Sequence, residues 1–266
     1  MSNIIQIGPL VLPLDRLTAI AALWLFIALG GWALRRWQGA PANLPFWAVV
    51  VGIAGARIGH VVENHASFAE QPLTALYLWQ GGFAPLWGVM AAALLVALRA
   101  RAKARAALLA CLALCAGGWL AVAALSKQAG VRPLPRNLVA ATLDGQPVSI
   151  DALAGRPFVL NLWASWCGPC RREMPMLIDM AGQSPDVPIL LVNQGEDAAT
   201  VRAFMAKEGL AIDAVRLDAA GAIGHAVASP ALPTTIFVDA QGQIVRTHVG
   251  EISRATLAQG IAAISR

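Results

Sequence analysis

The chain has 266 residues, of which 58% are hydrophobic and only 13% are charged, which excludes a single soluble domain. The formal net charge is +5, but we find no nucleic-acid motif and no glycine loop of the kind that holds phosphate. The excess charge therefore indicates contact with anionic membrane lipids rather than with nucleic acid. Because nearly all long apolar runs precede Ser126, we expect a transmembrane domain over residues 1–126, a linker over 127–137 and a second domain over 138–266.

Four apolar runs in the first half are predicted to cross a membrane as helices, because a span needs about 20 apolar residues. The runs are residues 17–34, 46–62, 83–98 (with an extension back through 73–79 considered) and 106–125. Four such runs in succession, with no soluble segment between them, argue against helices buried in a protein core. The first run is interpreted as retained, because it lacks a small-residue cleavage site and has only a weakly positive leading segment.

Lysine and arginine are concentrated in two of the predicted loops. Arg35 and Arg36 follow the first run, and four more basic residues lie between the third and the fourth: Arg99, Arg101, Lys103 and Arg105. The loop between the second and third runs, residues 63–72, holds two glutamates and no lysine or arginine. Because cytoplasmic loops are enriched in lysine and arginine, we predict that the N-terminus and everything after residue 125 lie on the non-cytoplasmic side of the membrane.

Two groups of chemically active side chains fall inside the predicted spans. Arg57, His60 and Glu63 are spaced three apart and so share one helix face. They either reach the outer interface and pair there, or form a site for a lipid headgroup or a partner. Cys111 and Cys115 are either small packing residues or an intramembrane thiol relay. A regular helix places their Cβ atoms about 6 Å apart, which is too far for an undistorted disulfide.

The membrane half resembles the N-terminal part of prolipoprotein diacylglyceryl transferases. The resemblance covers about residues 5–100 and rests on four segments: 7–10 (IGPL), 55–62 (GARIGHVV), 71–73 (QPL) and 79–83 (WQGGF). That family carries a His-Gly-Gly motif where this chain has Leu86-Trp87-Gly88, and its later arginine-rich motif is missing here. Because a transferase must bind both a phospholipid and a cysteine thiolate, we interpret this half as a membrane anchor without transferase activity.

The second half alternates strands and helices. Two short strands, 138–143 and 147–150, are joined by Asp144-Gly145, a pair typical of a hairpin turn. The apolar run 187–192 predicts a buried parallel strand. The remaining predictions are strands 158–164, 234–239 and 243–249, and helices from near Pro169, over 197–208, over 221–227 and over 254–264, the last with Ser253 as its N-cap.

The segment Trp166-Cys167-Gly168-Pro169-Cys170 lies between a predicted strand and a predicted helix. The free N–H groups and the dipole of a helix N-terminus favour a thiolate, so Cys167 is predicted to be the attacking sulfur. Cys170, one turn later, would then resolve a mixed disulfide. A zinc site would need two more ligands, and a structural disulfide closing so small a loop gives little stabilisation. We therefore expect a redox-active pair, with no metal and no cofactor.

This segment also carries a second resemblance. Residues 161–175 (NLWASWCGPCRREMP) and 232–239 (LPTTIFVD) resemble thioredoxin-fold domains of the TlpA/ResA type, which are periplasmic thiol–disulfide oxidoreductases. The resemblance implies an α/β thioredoxin fold, a cis Pro233 that shapes the substrate groove, and Trp166 beside the reactive sulfur. The Gly168-Pro169 pair resembles the reducing members of the fold.

Two polar positions of the matching segment have further implications. Glu173 follows Cys170 by one helical turn and is either the acceptor of the Cys170 proton or a first-turn glutamate favoured by the helix dipole. Asn161 stands where soluble thioredoxins usually have a buried aspartate.

The sequence therefore predicts a membrane-anchored periplasmic reductase of protein disulfides that draws electrons from a membrane donor. The relatives that the resemblance suggests reduce disulfides of cytochrome or copper-site apoproteins. Two alternatives stay open at this point. One is a lipoprotein-processing acyltransferase with an accessory redox domain, and the other is a redox-dead docking module, against which the two intact cysteines argue.

Overall fold

The structure is a computed structural model and describes residues 4–7, 10–70, 72–229 and 231–265. Gly8, Pro9 and Gln71, which belong to segments of the transferase resemblance, lie outside the described residues. The chain divides into two compact units, one formed mainly by residues 3–129 and the other by residues 130–266.

The first unit is helical apart from one short hairpin. Its elements are β1 (Ile4–Ile7), β2 (Leu10–Pro13), α1 (Leu14–Arg36), α2 (Leu44–Glu63), α3 (His65–Glu70), α4 (Pro85–Arg99) and α5 (Ala102–Gly130). The strands β1 and β2 pair antiparallel. Between α3 and α4 the chain forms two 3-10 turns, Pro72–Leu76 and Leu78–Gln80.

Among the described residues, three helices are long and apolar enough to cross a membrane: Arg16–Arg36, Leu44–Glu63 and Ala102–Leu125. The third predicted span forms α4 instead, which has 15 residues and so extends about 22 Å, less than the roughly 30 Å of a hydrocarbon core. The considered extension through 73–79 does not form an α-helix, because that segment forms 3-10 turns. The helix α4 begins only at Pro85, a residue that is tolerated in the first turn of a helix. The predicted helical membrane domain is confirmed, with three helices of spanning length and one shorter helix.

Small residues allow α2 and α4 to pack closely. A Cβ atom added to Gly88 would lie 2.7 Å from the carbonyl oxygen of Gly52, and one added to Gly55 would lie 2.6 Å from Cβ of Ala91. Such contacts let two helix backbones approach without a hydrophobic driving force between them. The short helix α4 is therefore an integral part of the bundle.

The second unit is an eight-stranded mixed sheet with helices on both faces. Its elements are β3 (Arg132–Pro133), β4 (Val139–Ala141), β5 (Pro147–Ser149), β6 (Phe158–Trp163), α6 (Gly168–Gln183), β7 (Ile189–Gln194), α7 (Ala198–Glu208), β8 (Val215–Asp218), α8 (Ala222–Ala226), β9 (Thr234–Val238), β10 (Gln243–Val249) and α9 (Arg254–Ile264). The strand order is β3-β10-β9-β6-β7-β8-β4-β5, with β6 parallel to β7 and antiparallel to β9. This arrangement confirms the predicted thioredoxin fold.

The predicted hairpin is also confirmed, because β4 pairs with β5 and Gly145 adopts the positive φ of +81° that the turn requires. Two strands of the second unit were not predicted, nor was the β1–β2 hairpin of the first unit. Strand β8 has only four residues, and its arginine and aspartate interrupt the apolar pattern. Strand β3 lies inside the predicted linker and pairs with the edge of β10, while α5 continues to Gly130 at the start of that linker.

The central strand β6 is buried at all six positions and sends alternate side chains to the two faces of the sheet. Phe158, Leu160 and Leu162 pack into the core that includes Ile223 of α8. Val159 and Trp163 pack into the other core, with residues of α6 and α9. Asn161 lies between these two in sequence, so the alternation directs its amide towards α6, where the redox motif begins.

Candidate active site

Cys167 and Cys170 lie where β6 passes into α6. Cys167 is the N-cap of α6, and its Sγ accepts a hydrogen bond of 3.3 Å from the backbone N–H of Cys170. The two cysteines form a disulfide. Cys167 retains 6% exposure whereas Cys170 is fully buried, so an incoming partner meets Cys167 before Cys170. This difference in access supports the predicted roles of attacking and resolving cysteine.

The residues predicted to support the pair differ in their exposure. Trp166 is 71% exposed beside the disulfide, so its indole is free to contact a partner protein. Gly168 and Pro169 form the first turn of α6, where a missing N–H has no cost. The Leu232–Pro233 peptide bond is cis, as the resemblance implies, and Leu232 packs against the core that contains both cysteines.

Glu173 is buried beneath the start of α6 and receives two hydrogen bonds. Asn161 Nδ2 donates to its Oε1 over 3.0 Å, and the backbone N–H of Ile252 donates to its Oε2 over 2.7 Å. Asn161 Nδ2 also donates to Thr235 Oγ1 over 3.1 Å. The carboxyl group is thus held by two separate segments of the fold, one of which is itself bonded to β9, and its 3% exposure does not suit a solvated first-turn glutamate.

Burial raises the pKa of Glu173 to about 8, since a carboxylate is poorly solvated in the protein interior. The hydrogen bonds from Ile252 and Asn161 act in the opposite direction and lower this pKa, as does Arg172. The nearby charge of Glu251 raises it further. At neutral pH the Glu173 carboxyl therefore holds its proton, and it becomes a proton acceptor only as the pH approaches 8.

Glu251 is a second buried carboxylate near the site, and the sequence analysis did not identify it. Arg172 donates to its Oε2 from Nε over 2.9 Å and from Nη2 over 2.6 Å. Arg172 directly precedes Glu173, and Glu251 directly precedes Ile252. The pairing joins two segments about 80 residues apart, so only the tertiary fold brings them together.

Glu196 is a third carboxylate that sequence reasoning missed. It accepts hydrogen bonds from the N–H of Ser165 (2.7 Å), from Ser165 Oγ (2.5 Å) and from Asn193 Nδ2 (2.7 Å). A signal was available, because Glu196 follows β7 as Ser165 follows β6. The carboxyl ends of neighbouring parallel strands meet at one edge of a sheet.

The polar residues of α2 do not share one environment. Arg57 is buried and donates to the carbonyl oxygens of Thr74 (2.7 Å), Ala75 (2.9 Å) and Gly82 (2.9 Å). These bonds also explain why the segment before α4 stays out of the α-helical register. His60 is buried with its ring edge-on to Phe68, and Arg57 Cζ lies 5.5 Å from the centroid of the same Phe68 ring. Glu63, in contrast, is exposed and accepts from Trp87 Nε1 over 2.8 Å, so Arg57 and His60 share a neighbour that Glu63 does not contact.

Two further predictions concern the other cysteines and metals. Cys111 and Cys115 are free thiols in α5, and both belong to the core around Phe26 and Leu108. Among the residues that the structure describes, no group of three or more histidine, cysteine or acidic side chains is placed to hold a metal ion.

Two family models match the chain. The Redoxin model matches residues 128–261, and the prolipoprotein diacylglyceryl transferase model matches residues 2–129. Both resemblances drawn from the sequence are thereby confirmed, and the second match implies that the first unit is a membrane domain.

Curated relatives match the second half. The thiol-disulfide oxidoreductase ResA of Halalkalibacterium halodurans is 34% identical over 116 residues, covering 43% of this chain and 65% of the relative, which is just under two thirds of its length. ResA of Geobacillus thermodenitrificans is 30% identical over 130 residues, covering 48% of this chain and 74% of the relative. The thiol:disulfide interchange protein DsbE homolog of Paracoccus denitrificans is 32% identical over 118 residues, covering 43% and 63%.

One solved structure is a secreted Mycobacterium tuberculosis disulfide oxidoreductase homologous to E. coli DsbE. It is 28% identical to this chain, with a TM-score of 0.40, and the match covers 47% of this chain and 95% of that one.

Proposed function

Since the chain belongs to the Redoxin family, we propose that it is a membrane-anchored thiol–disulfide oxidoreductase that reduces disulfides of periplasmic proteins. The observation that carries the proposal is the disulfide between Cys167 and Cys170 at the N-terminus of α6, with Cys167 slightly exposed and Cys170 fully buried. Relatives named thiol-disulfide oxidoreductase ResA support this activity.

The reaction is an exchange of two electrons between dithiol and disulfide. In the reduced protein the Cys167 thiolate attacks one sulfur of a substrate disulfide, that S–S bond breaks, and the departing substrate thiolate takes up a proton. Cys170 then loses its proton and attacks Cys167 Sγ, which releases the second substrate thiol and forms the Cys167–Cys170 disulfide. A dithiol donor in the membrane returns the two electrons and two protons for the next cycle.

Glu173 is placed to serve the second half of this exchange. It follows Cys170 by one turn of α6 and is buried with its pKa raised to about 8 by desolvation. Below that pH the protonated carboxyl does not take the Cys170 proton, whereas above it the carboxylate does. Resolution of the mixed disulfide should therefore accelerate as the pH rises through 8.

The test uses the two single cysteine variants in the full chain. Cys170→Ser removes only the resolving thiol, so the mixed disulfide at Cys167 should persist and appear as reducible high-mass bands on a non-reducing gel. Cys167→Ser is the matched control and should capture nothing. Equal capture by both variants, or by neither, would overturn the assigned roles, and mass spectrometry of the bands would identify the substrate.

We further propose that the first unit is a lipid-embedded anchor and not a transferase. Where the transferases carry His-Gly-Gly, Leu86 is 69% exposed on α4 and the Trp87 indole covers Gly59, where an added Cβ would lie 2.2 Å from Trp87 Cγ. Neither side chain supplies a general base or a cation for phospholipid chemistry.

The proposed topology places the N-terminus and the redox unit in the periplasm. Its support is the loop charge, since basic side chains gather at the end of the bundle where α1 and α4 end and α5 begins. An N-out, C-out chain needs an even number of crossings, so α4 must count as one of four. Alkaline phosphatase fused after residue 129 should be active, and an inactive fusion with an active cytoplasmic reporter at the same site would reverse the orientation.

A further inference from the structure

The turn that carries Trp166 and Cys167 is attached to a single carboxylate. Both the backbone N–H and the hydroxyl of Ser165, two residues before Cys167, donate to Glu196, over 2.7 and 2.5 Å. Bonds to an ionised acceptor are about twice as strong as neutral ones, so this contact fixes the turn firmly. Within the part of the chain that the structure describes, no other side chain accepts a hydrogen bond from Ser165.

The position of Glu196 is itself determined by its surroundings. Asn193, fully buried at the end of β7, donates to Glu196 Oε2 over 2.7 Å. Gly195 precedes Glu196 with φ +79°, a conformation that favours glycine, and its N–H donates to Asp218 O over 3.0 Å. The loop after β7 therefore directs the carboxylate back over the end of β6.

We propose that Glu196 is a positioning residue for the redox pair: it holds Cys167 at the start of α6, and its charge disfavours the Cys167 thiolate. The helix N-terminus favours that thiolate, so the two effects oppose each other. A less stable thiolate makes the dithiol form less stable relative to the disulfide, which makes the pair a stronger reductant. The proposal rests on the proposed reductase function and refines it.

Other charged groups lie on the elements that surround the pair, so the effect of Glu196 must be separated from theirs. They are Arg171, Arg172 and Glu173 on α6, Asp197 beside Glu196, and Glu251 in the loop before α9. Arg172 Nη1 would lie 3.8 Å from a Cβ added to Gly168, so a cation also faces the motif. Asp197 offers a matched control, because it caps α7 through Thr200 N–H at 2.8 Å and is an adjacent carboxylate with a different partner.

The experiment compares Glu196→Gln with Asp197→Asn in the full chain in detergent. Each change removes one negative charge, at neighbouring positions, and asparagine retains the capping ability of Asp197. The Cys167 pKa is measured from thiolate absorbance, and the dithiol–disulfide equilibrium is measured against glutathione. We expect Glu196→Gln to lower the Cys167 pKa by about one unit and to shift the equilibrium up to about tenfold towards the dithiol. Asp197→Asn should change neither.

Hydrogen exchange separates positioning from charge. Exchange of the peptide that contains residues 164–167 should accelerate in Glu196→Gln and in Ser165→Gly, and it should stay slow in Asp197→Asn. Ser165→Gly also keeps the proposal testable if the Glu196 variant does not fold. Identical pKa, equilibrium and exchange in Glu196→Gln and Asp197→Asn would overturn the proposal. The reductase proposal itself would stand in that case, because the capture by Cys170→Ser tests it separately.

Discussion

Each half of the chain buries an ionisable side chain, and the partners of the two differ in kind. Arg57 in the first unit is met by backbone carbonyl oxygens of one neighbouring segment, over 2.7 to 2.9 Å. Glu173 in the second unit is met by an amide, a backbone N–H and the charge of a second carboxylate. The arginine keeps its charge because acceptors surround it, whereas the acid is held close to neutrality.

The difference in partners distinguishes a charged side chain that stabilises the fold from one that can exchange a proton. The five N–H donors of a guanidinium leave little capacity for a ligand once several carbonyls are bound. A carboxyl whose pKa lies near the working pH exchanges its proton readily, which is what an exchange of thiols needs. Burial of a charged residue therefore does not by itself indicate a functional site, and the partners decide.

The largest expected effect on the yield of folded protein is that of changing Arg57. Arg57→Ala removes a buried side chain and leaves the partly buried carbonyls of residues 74, 75 and 82 without this donor, so we expect a loss of about 3 kcal/mol and a low yield of folded protein. Thermal unfolding in detergent measures this loss. Arg35→Ala, an exposed cation at the end of α1, is the control and should change stability by less than about 0.5 kcal/mol. A stable Arg57→Ala variant with altered lipid binding would assign Arg57 a ligand instead.

The next effect concerns Glu173 and the pH dependence of stability. Its folded-state pKa of about 8 lies above the model-peptide value of 4.5, so the folded protein binds more protons between these pH values. The contribution of Glu173 to stability is therefore largest at acidic pH and is lost as the pH rises from about 4.5 to 8, by up to about 5 kcal/mol. Glu173→Gln should remove this loss and make the variant the more stable protein at pH 8, as chemical denaturation at several pH values would measure.

Glu173→Gln also tests, through the rate of partner release, whether Glu173 accepts the Cys170 proton. Release of the captured partner should accelerate between pH 7 and 9 in the wild-type protein and should be slower and nearly independent of pH in Glu173→Gln. Glu208→Gln, an exposed acid paired with Arg171, is a suitable control. A pH profile that Glu173→Gln leaves unchanged would exclude Glu173 as the proton acceptor.

The smallest effect is expected for the thiols of the first unit. Cys111 and Cys115 pack in the core of the helical bundle, so their joint change to alanine should cost stability only slightly and leave capture and turnover unchanged. The redox state of Cys167–Cys170 in cells that carry this double change is the decisive measurement. Accumulation of the oxidised pair would mean that electrons arrive through α5 and would make these thiols a relay.

The sequence predicted those features that depend on local pattern. The motif around Cys167, the turn at Gly145 and the cap at Ser253 each rest on a few adjacent residues, and Ser253 does accept from the N–H of Thr256. The N-terminal boundary of the third span was harder to place. Apolar residues precede Pro85, although the helix itself begins only at Pro85. Glu196 and Glu251 depend on contacts between distant segments, which no local pattern records.

The contact between Gly59 and Trp87 restricts which residues the two positions can carry together. The indole covers the space that a side chain at position 59 would fill, and its Nε1 reaches Glu63 one turn further along the same helix. A bulky residue at 87 is therefore acceptable only while 59 carries no side chain. The two positions are expected to vary together among relatives of this chain, because a small residue at 87 would leave room for a side chain at 59.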